Sequence, residues 1–167
     1  MLVMITGRSG CRRLCAGVAA LLLSGSGSGS AAAFAQMTAP QRLWNAKALA
    51  CTFTVVTTGS WKDGQARADV TPAKLSLGFE AIDTDEGSAR MVGAMGHAEI
   101  VVKLANGTLH FVQSRDEGPV YITTVFPRES IGGKLQAVHT RHEFTDVQLP
   151  GYTSRPEQYI GDCAPSP

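Results

Sequence analysis

Charged residues are scarce in this sequence, and no aspartate or glutamate occurs before Asp63. Only 17% of the 167 residues are Asp, Glu, Lys or Arg, and after residue 35 the basic residues form no cluster. Because nucleic acids and acidic membrane surfaces are bound through concentrated positive charge, we expect neither as a partner. After residue 35 no apolar run is long enough to cross a bilayer, so no membrane span is expected there.

The first 35 residues have the three parts of a secretory signal peptide. Three arginines form a basic n-region, residues 14–23 form an apolar h-region, and residues 33–35 (AFA) form a small-x-small cleavage site. The h-region is shorter than a transmembrane helix needs, although an uncleaved membrane anchor is the alternative. We expect a periplasmic or secreted mature chain that starts at Gln36, with 12 basic against 14 acidic residues and a net charge of −2.

Two of the four cysteines, Cys51 and Cys163, remain after removal of the signal peptide. In an oxidising compartment, an isolated pair near opposite ends of a domain favours a disulfide over a metal site or a nucleophile. The bridge would close a loop of about 112 residues. On the chain-entropy model, such a closure destabilises the unfolded chain by about 4 to 5 kcal/mol.

From residue 50 onward, apolar residues recur with a period of two, which is typical of β-strands. Asn106-Gly107 is a strong signal for a type I′ hairpin turn. Ahead of this β domain, we expect residues 36–49 to form an N-terminal segment that includes a short helix over residues 40–49, and residues 164–167 to form a flexible tail. Within the β domain, residues 50–163, the pattern predicts eight strands near residues 51–56, 75–81, 89–94, 100–104, 109–111, 120–126, 134–144 and 158–163.

The short turns between these strands predict an all-β, antiparallel meander. A disulfide requires Cα atoms within about 7 Å of each other, so the Cys51–Cys163 bridge would place the first strand beside the last. A small closed barrel satisfies this condition most simply, and a two-sheet sandwich is the alternative. The interior of an eight-stranded barrel is filled by side chains or holds one small ligand.

The side chains expected to surround such a ligand are mainly aromatic or aliphatic, so the cavity would be apolar. Trp61 lies in the long connection 57–73, where it is a candidate lid or floor residue, or else packs against the end of the barrel. Within the strands, the candidate ligand-binding residues are Phe79, Phe111, Ile122 and Phe126. No residue pattern indicates a cofactor or a bound metal.

Two histidines, His139 and His142, have the spacing of a His-x-x-His zinc motif. On a β-strand, residues three apart point to opposite faces, which argues against a shared metal ion. The residues on the same face as His139, namely Ala137, Arg141 and Glu143, favour a solvated outer face. The mature chain has no G-x-S-x-G motif and no unpaired cysteine, so an enzyme using His139 or His142 is the third-ranked hypothesis.

Several segments resemble a group of small exported bacterial proteins of unknown function. They are Cys51-Thr-Phe53, Thr124-Val-Phe126, residues 137–142 (AVHTRH) and residues 156–163 (PEQYIGDC). The resemblance covers nearly the whole mature chain and implies no particular activity.

Two further segments resemble the lipocalin-like (calycin) barrels. Gly59-Ser60-Trp61 is similar to their Gly-x-Trp signature, and Thr145-Asp146-Val147 is similar to their Thr-Asp-Tyr. In those barrels Gly-x-Trp opens the first strand, whereas here a cysteine-bearing strand precedes it. The resemblance implies a barrel that binds small apolar molecules.

Two functional hypotheses follow from the sequence. The first is a non-catalytic barrel that binds a small apolar or amphipathic ligand. The second is a protein-binding module, such as an inhibitor or accessory of a cell-envelope enzyme. Residues 151–161 support the second hypothesis because Tyr152, Arg155 and Tyr159 are residue types enriched at interfaces.

Overall fold

A computed structural model describes residues 37–94, 96–116, 118–142 and 155–166 of the chain. The predicted signal peptide, residues 1–35, lies outside these residues. The described part contains one helix and eight strands. They are α1 (Ala39–Trp44), β1 (Leu49–Lys62), β2 (Gln65–Asp83), β3 (Ser88–Gly93), β4 (Gly96–Ala105), β5 (Thr108–Ser114), β6 (Val120–Glu129), β7 (Leu135–His142) and β8 (Glu157–Pro165).

Each strand pairs antiparallel with the next, and β1 also pairs with β8, so the hydrogen-bonded sheet forms a ring. The predictions of eight antiparallel strands and of adjacent first and last strands are therefore confirmed. We call the side of the ring that carries most of the buried residues the inner face. In the described part of the chain, no helix has the length and apolar character needed to cross a membrane.

The predicted disulfide is confirmed. Cys51 of β1 lies directly opposite Cys163 of β8 in the ladder, with 4.0 Å between their Cα atoms and 1.98 Å between their sulfur atoms. On the other side of β8, Leu135 pairs with Cys163. The bridge is buried on the inner face. The covalent bond therefore reinforces a contact that the backbone ladder also makes.

The turn between β4 and β5 has the predicted backbone conformation. Asn106 and Gly107 have φ angles of 50° and 75°, both in the left-handed region that a type I′ turn requires. At the same end of the ring, Gly107 lies close to Trp44 of the helix. We call this end the helix end.

The helix is shorter than predicted, because it ends at Trp44 instead of extending over residues 40–49. The backbone turns at Asn45 and enters β1 at Leu49, which is buried in the core. Leu43 is buried in the same core, whereas Trp44 is 52% exposed. The side chain of Arg42 anchors the helix, since it donates to Glu129 over 2.6 Å and to the carbonyl of Gly133 over 2.9 Å.

The core fills the inner face from the helix end to the middle of the ring. Phe79 and Phe111 stack with their ring centroids 4.0 Å apart. The largest side chains with almost no exposed surface are Phe53, Phe79, Phe111, Leu43, Leu49, Leu109, Leu135, Val102 and Val125. This part of the interior is therefore packed with side chains.

The predicted long connection 57–73 is wrong, because β1 and β2 continue through it as a hairpin. Their pairing runs from Val55 opposite Pro72 to Lys62 opposite Gln65, and Asp63-Gly64 forms the turn. We call residues 55–72 the distal hairpin, and the end of the ring that bears it the hairpin end. Gly59 and Asp63-Gly64 are residue types depleted in strands and interrupt the apolar pattern, so the sequence did not predict strands here.

Candidate functional site

Polar and aromatic side chains lie together on the inner face of three adjacent strands, toward the hairpin end. Two rows of cross-strand neighbours bring them together. The row nearer the hairpin end is Tyr121, Arg141 and Glu157, and the row below it is Thr123, His139 and Tyr159. We call these six residues the polar cluster. Neighbours on one face of a sheet lie close enough for direct side-chain contact.

His139 is the most deeply buried ionisable residue in the polar cluster, with 3% of its surface exposed. Its Nδ1 lies 2.8 Å from Thr123 Oγ1, and Arg141 Nε donates to its Nε2 over 3.5 Å. Because an arginine can only donate, Nε2 is the acceptor, and the ring proton resides on Nδ1 and is donated to Thr123. Burial, followed by the positive charge of Arg141, lowers the pKa of His139 from 6.5 to about 3. The imidazole is therefore neutral at physiological pH.

Arg141 provides the positive charge of the polar cluster. Its guanidinium carbon lies 5.0 Å from the ring centroid of Tyr159 and 6.0 Å from that of Tyr121, which is within cation–π range. Its Nη1 lies 3.9 Å from Glu157 Oε2, near the limit for an ion pair. The Arg141 side chain is 24% exposed, so it is partly accessible to solvent.

Tyr159 and Glu157 form a short hydrogen bond within the polar cluster. The Tyr159 hydroxyl donates to Glu157 Oε2 over 2.6 Å. Burial and this hydrogen bond raise the pKa of Tyr159 to about 12. The hydroxyl is therefore a donor at physiological pH and orients the carboxylate beside Arg141.

The wall opposite the polar cluster is apolar. β3 lies across the ring from β7, and strands β2, β3 and β4 carry Leu75, Met91 and Ala98 there. These three side chains pack against the core but are only partly buried. We call them the apolar wall. In the order of strands around the ring, Arg141 and the apolar wall therefore lie on opposite parts of the inner face, toward the hairpin end.

The predicted solvated outer face of β7 is wrong for the described residues. Ala137 and His139 are buried, and Arg141 lies on the same inner face, where it contacts Tyr121 and Tyr159. The reason is that residues of β6 and β8 supply polar and aromatic partners that the β7 sequence does not reveal. The fourth residue of that predicted face, Glu143, lies outside the described residues.

The prediction that His139 and His142 occupy opposite faces is confirmed, since His142 is exposed. Among residues 37–94, 96–116, 118–142 and 155–166, no group of three or more His, Cys, Asp or Glu side chains could hold a metal ion. His139 and His142 therefore do not come together around one metal site.

The five predicted ligand-binding residues are not all on one face. Phe79 and Phe111 lie in the packed core, whereas Trp61 lies on the distal hairpin and is 64% exposed. Ile122 and Phe126 alternate with the buried Thr123 and Val125, which places them on the outer face of β6. Both faces of β6 carry apolar residues, so the alternation alone could not decide which one is buried. Their roles in binding a ligand stay predictions.

Sequence reasoning did not single out the polar cluster. Tyr121 and Thr123 belonged to a strand whose other face looked equally apolar, and Glu157 lay in a tail segment that was considered for its tyrosines and Arg155. The sequence feature that could have indicated it is the alternation of Glu157, Tyr159, Gly161 and Cys163 along the last strand. Cys163 is buried on the inner face, and the other three residues share that face because they alternate with it along β8.

Comparisons with known proteins place the chain in no family. No protein-family model matches it, and neither curated proteins nor solved structures gave a match. The resemblance to lipocalin-like barrels therefore stays an expectation. Thr145-Asp146-Val147 lies outside the described residues, and Gly59-Ser60-Trp61 lies late in β1, in the distal hairpin.

Proposed function

We propose that the ring is a small closed barrel, exported to an oxidising compartment, that binds a small amphipathic ligand carrying one negative charge. The observation that carries this proposal is the position of Arg141 on the inner face, opposite the apolar wall. The continuous hydrogen-bonded ring supports a barrel over a sandwich. The Cys51–Cys163 disulfide is typical of exported proteins.

The charge of Arg141 is available to a ligand because its neighbours do not neutralise it closely. Glu157 lies 3.9 Å from Nη1 and also accepts the Tyr159 hydroxyl, while His139 is neutral. A guanidinium presents several donors in a planar fork that matches a carboxylate, sulfonate or phosphate. A ligand anion would bind there with charge-assisted hydrogen bonds.

The apolar part of the ligand would lie against Leu75, Met91 and Ala98. These side chains are only partly buried, so covering them removes apolar surface from water. The core beneath them is packed, which limits the ligand to the hairpin end of the interior. The site therefore favours a compact molecule over a long lipid chain.

The chemistry of His139 favours binding over catalysis. A general base at neutral pH needs a pKa near 7, and burial holds the pKa of His139 at about 3. Both ring nitrogens are also engaged, one with Thr123 and one with Arg141. His139 positions Arg141 instead of exchanging protons.

Two fluorescent probes test the proposal. 1-Anilinonaphthalene-8-sulfonate is an amphipathic anion, and N-phenyl-1-naphthylamine has the same ring system without the sulfonate. The wild-type chain should bind the sulfonate more tightly. Arg141→Gln should raise the Kd of the sulfonate by about 10-fold or more and change that of the neutral probe less than about twofold, since a charge-assisted hydrogen bond contributes about 1.5 to 3 kcal/mol.

Arg90→Gln is the matched control, because Arg90 pairs with Glu80 at the ring's exposed surface. This variant should bind both probes as the wild type does. Equal sulfonate affinity in Arg141→Gln and wild type would refute the role of Arg141. Native mass spectrometry of protein purified from its own compartment should also detect a small co-purifying anion.

A protein-binding role is the second candidate, and a separate observation favours it. The distal hairpin exposes apolar side chains, with Trp61 64% and Val70 68% exposed. Exposed apolar surface of this kind marks interaction sites. This surface lies outside the polar cluster, so the two roles are compatible.

A further inference from the structure

The distal hairpin has one apolar and one polar face. Alternate residues of its two paired strands share a face. The apolar face carries Val55, Thr57, Gly59, Trp61, Ala66, Ala68, Val70 and Pro72. The other face carries Val56, Thr58, Ser60, Lys62, Gln65, Arg67, Asp69 and Thr71. The faces therefore differ sharply in character at the tip of the hairpin.

One edge of the distal hairpin has no partner strand in the part of the chain that the structure describes. β2 pairs with β3 only from Gly78 onward, and among the described residues no strand pairs with the same edge over residues 65–77. Such an edge presents backbone N–H and C=O groups that can pair with another strand. A strand from a second chain can therefore extend this sheet.

The sequence of this edge is self-complementary in the antiparallel direction. Arg67 and Asp69 flank Ala68 on the polar face, and Ala66 and Val70 flank it on the apolar face. We propose that two copies of this chain form a dimer by pairing these edges antiparallel, about a two-fold axis at Ala68. The four strands of the two distal hairpins would then form one sheet.

In this register, opposite charges meet twice. Arg67 of each copy lies opposite Asp69 of the other, and a two-fold axis repeats the pair. A register centred on Arg67 places two arginines opposite each other, and one centred on Asp69 places two aspartates there. Opposite charges across a sheet are favourable and like charges are unfavourable, so the charges select the register centred on Ala68.

The same register keeps the two apolar faces on one side of the combined sheet. Ala66 of one copy lies opposite Val70 of the other, and Trp61 pairs with Ala66 within its own hairpin. A register centred between two residues would instead join the apolar face of one copy to the polar face of the other. The large indole of Trp61 can extend over the small Ala66 toward the Val70 side chain of the second copy.

This dimer is independent of ligand binding in the polar cluster, because it uses residues 64–72 at the tip of the hairpin. The first test is the mass of the disulfide-bonded mature chain by sedimentation equilibrium across a range of concentrations. We expect twice the monomer mass at high concentration. Arg67→Asp and Asp69→Arg should each raise the dimer Kd about 10-fold or more, since each replaces two attractive pairs with two repulsive ones.

Mixing the two charge variants restores the attraction, because one chain then carries two acids and the other two bases at these positions. An equimolar mixture should form heterodimers at least as tightly as the wild type forms homodimers. A strictly monomeric wild type would overturn the proposal, and so would a dimer that both charge variants leave unchanged. Monomers that bind a different protein through this edge would overturn it as well.

A cysteine pair tests the register directly. Ala68→Cys places two thiols opposite each other at the two-fold axis, so mild oxidation should link the copies. Ala66→Cys is the matched control, because each of its thiols lies opposite Val70 and the two are separated by four residues along the strand. Cross-linking of Ala66→Cys as fast as Ala68→Cys would overturn this register.

Discussion

The Nδ1 atom of His139 lies 2.8 Å from Thr123 Oγ1, across the ladder between β7 and β6. Both side chains are buried, and the pKa of His139 is lowered from 6.5 to about 3, first by burial and then by Arg141. The fold therefore holds an uncharged imidazole that the unfolded chain would protonate at mildly acidic pH. Stability must depend on pH through this residue.

The first prediction is that His139→Gln weakens this pH dependence. Between pH 6.5 and about 3 the unfolded chain binds a proton at His139 that the folded chain does not bind. The free energy of unfolding therefore falls as the pH falls, by at most about 1.4 kcal/mol per pH unit from this residue. Urea unfolding at about pH 7.5 and about pH 4.5 measures the slope.

His142→Gln is the control for this experiment, because His142 lies on the exposed face of the same strand. It should retain the wild-type slope, while His139→Gln should have a shallower one and a lower stability at neutral pH. An identical slope in His139→Gln and wild type would show that the buried imidazole does not govern acid sensitivity.

The second prediction concerns Gly161, which pairs with Phe53 on one side and Ala137 on the other. A Cβ at Gly161 would overlap the Thr52 carbonyl oxygen and lie 2.6 Å from Phe53 Cα. Because backbone atoms must move to relieve this overlap, Gly161→Ala should lower the free energy of unfolding by about 3 kcal/mol or more. Denaturant unfolding measures the loss.

Gly59→Ala is the matched substitution in the same ring. Its Cβ would lie 3.8 Å from the Pro156 carbonyl oxygen, an ordinary contact distance. We expect a change within about 1 kcal/mol. If Gly161→Ala were as stable as Gly59→Ala, the close approach of β1 to β8 would not be a constraint on the fold.

Much of the fold was predictable because its signals are local or covalent. Alternation located the strands, and Asn106-Gly107 located a turn through its positive φ angles. The two cysteines then supplied the one long-range constraint, which placed β1 beside β8. The distal hairpin was not predicted because Gly59, Asp63-Gly64 and Pro72, which are typical of turns and loops, interrupt the apolar pattern there.

The polar cluster was harder to predict, because its burial depends on partners distant in sequence. His139 and Arg141 looked like surface residues from the β7 sequence alone. They are on the inner face because Tyr121 and Thr123 come from β6 and Tyr159 from β8. Only the ladder register brings these groups within hydrogen-bonding or stacking distance, and that register is not evident from composition.

The third prediction concerns the disulfide. Replacing Cys51 and Cys163 together by alanine should lower the free energy of unfolding by about 3 to 5 kcal/mol, because the bridge spans a long loop. The ring should persist, since β1 and β8 also share a backbone ladder from Leu49 opposite Pro165 to Thr58 opposite Glu157. Denaturant unfolding measures the loss, and an unchanged far-ultraviolet circular dichroism spectrum would report the retained sheet. A double variant as stable as the wild type would contradict the prediction.

The last prediction separates packing from ligand contact at Phe111. Its ring stacks on Phe79 in the filled part of the interior, so Phe111→Ala should lower the free energy of unfolding by about 3 to 5 kcal/mol. Ile131→Ala is the control, because that side chain is fully exposed and its loss should change stability by less than about 0.5 kcal/mol.

If Phe111 instead lined an open cavity, its truncation would change the affinity for N-phenyl-1-naphthylamine while leaving the unfolding midpoint close to that of the wild type. Denaturant unfolding and probe titration on the same preparation distinguish the two outcomes, and a stable variant with altered probe affinity would refute the packed core on which the proposed compact ligand site depends.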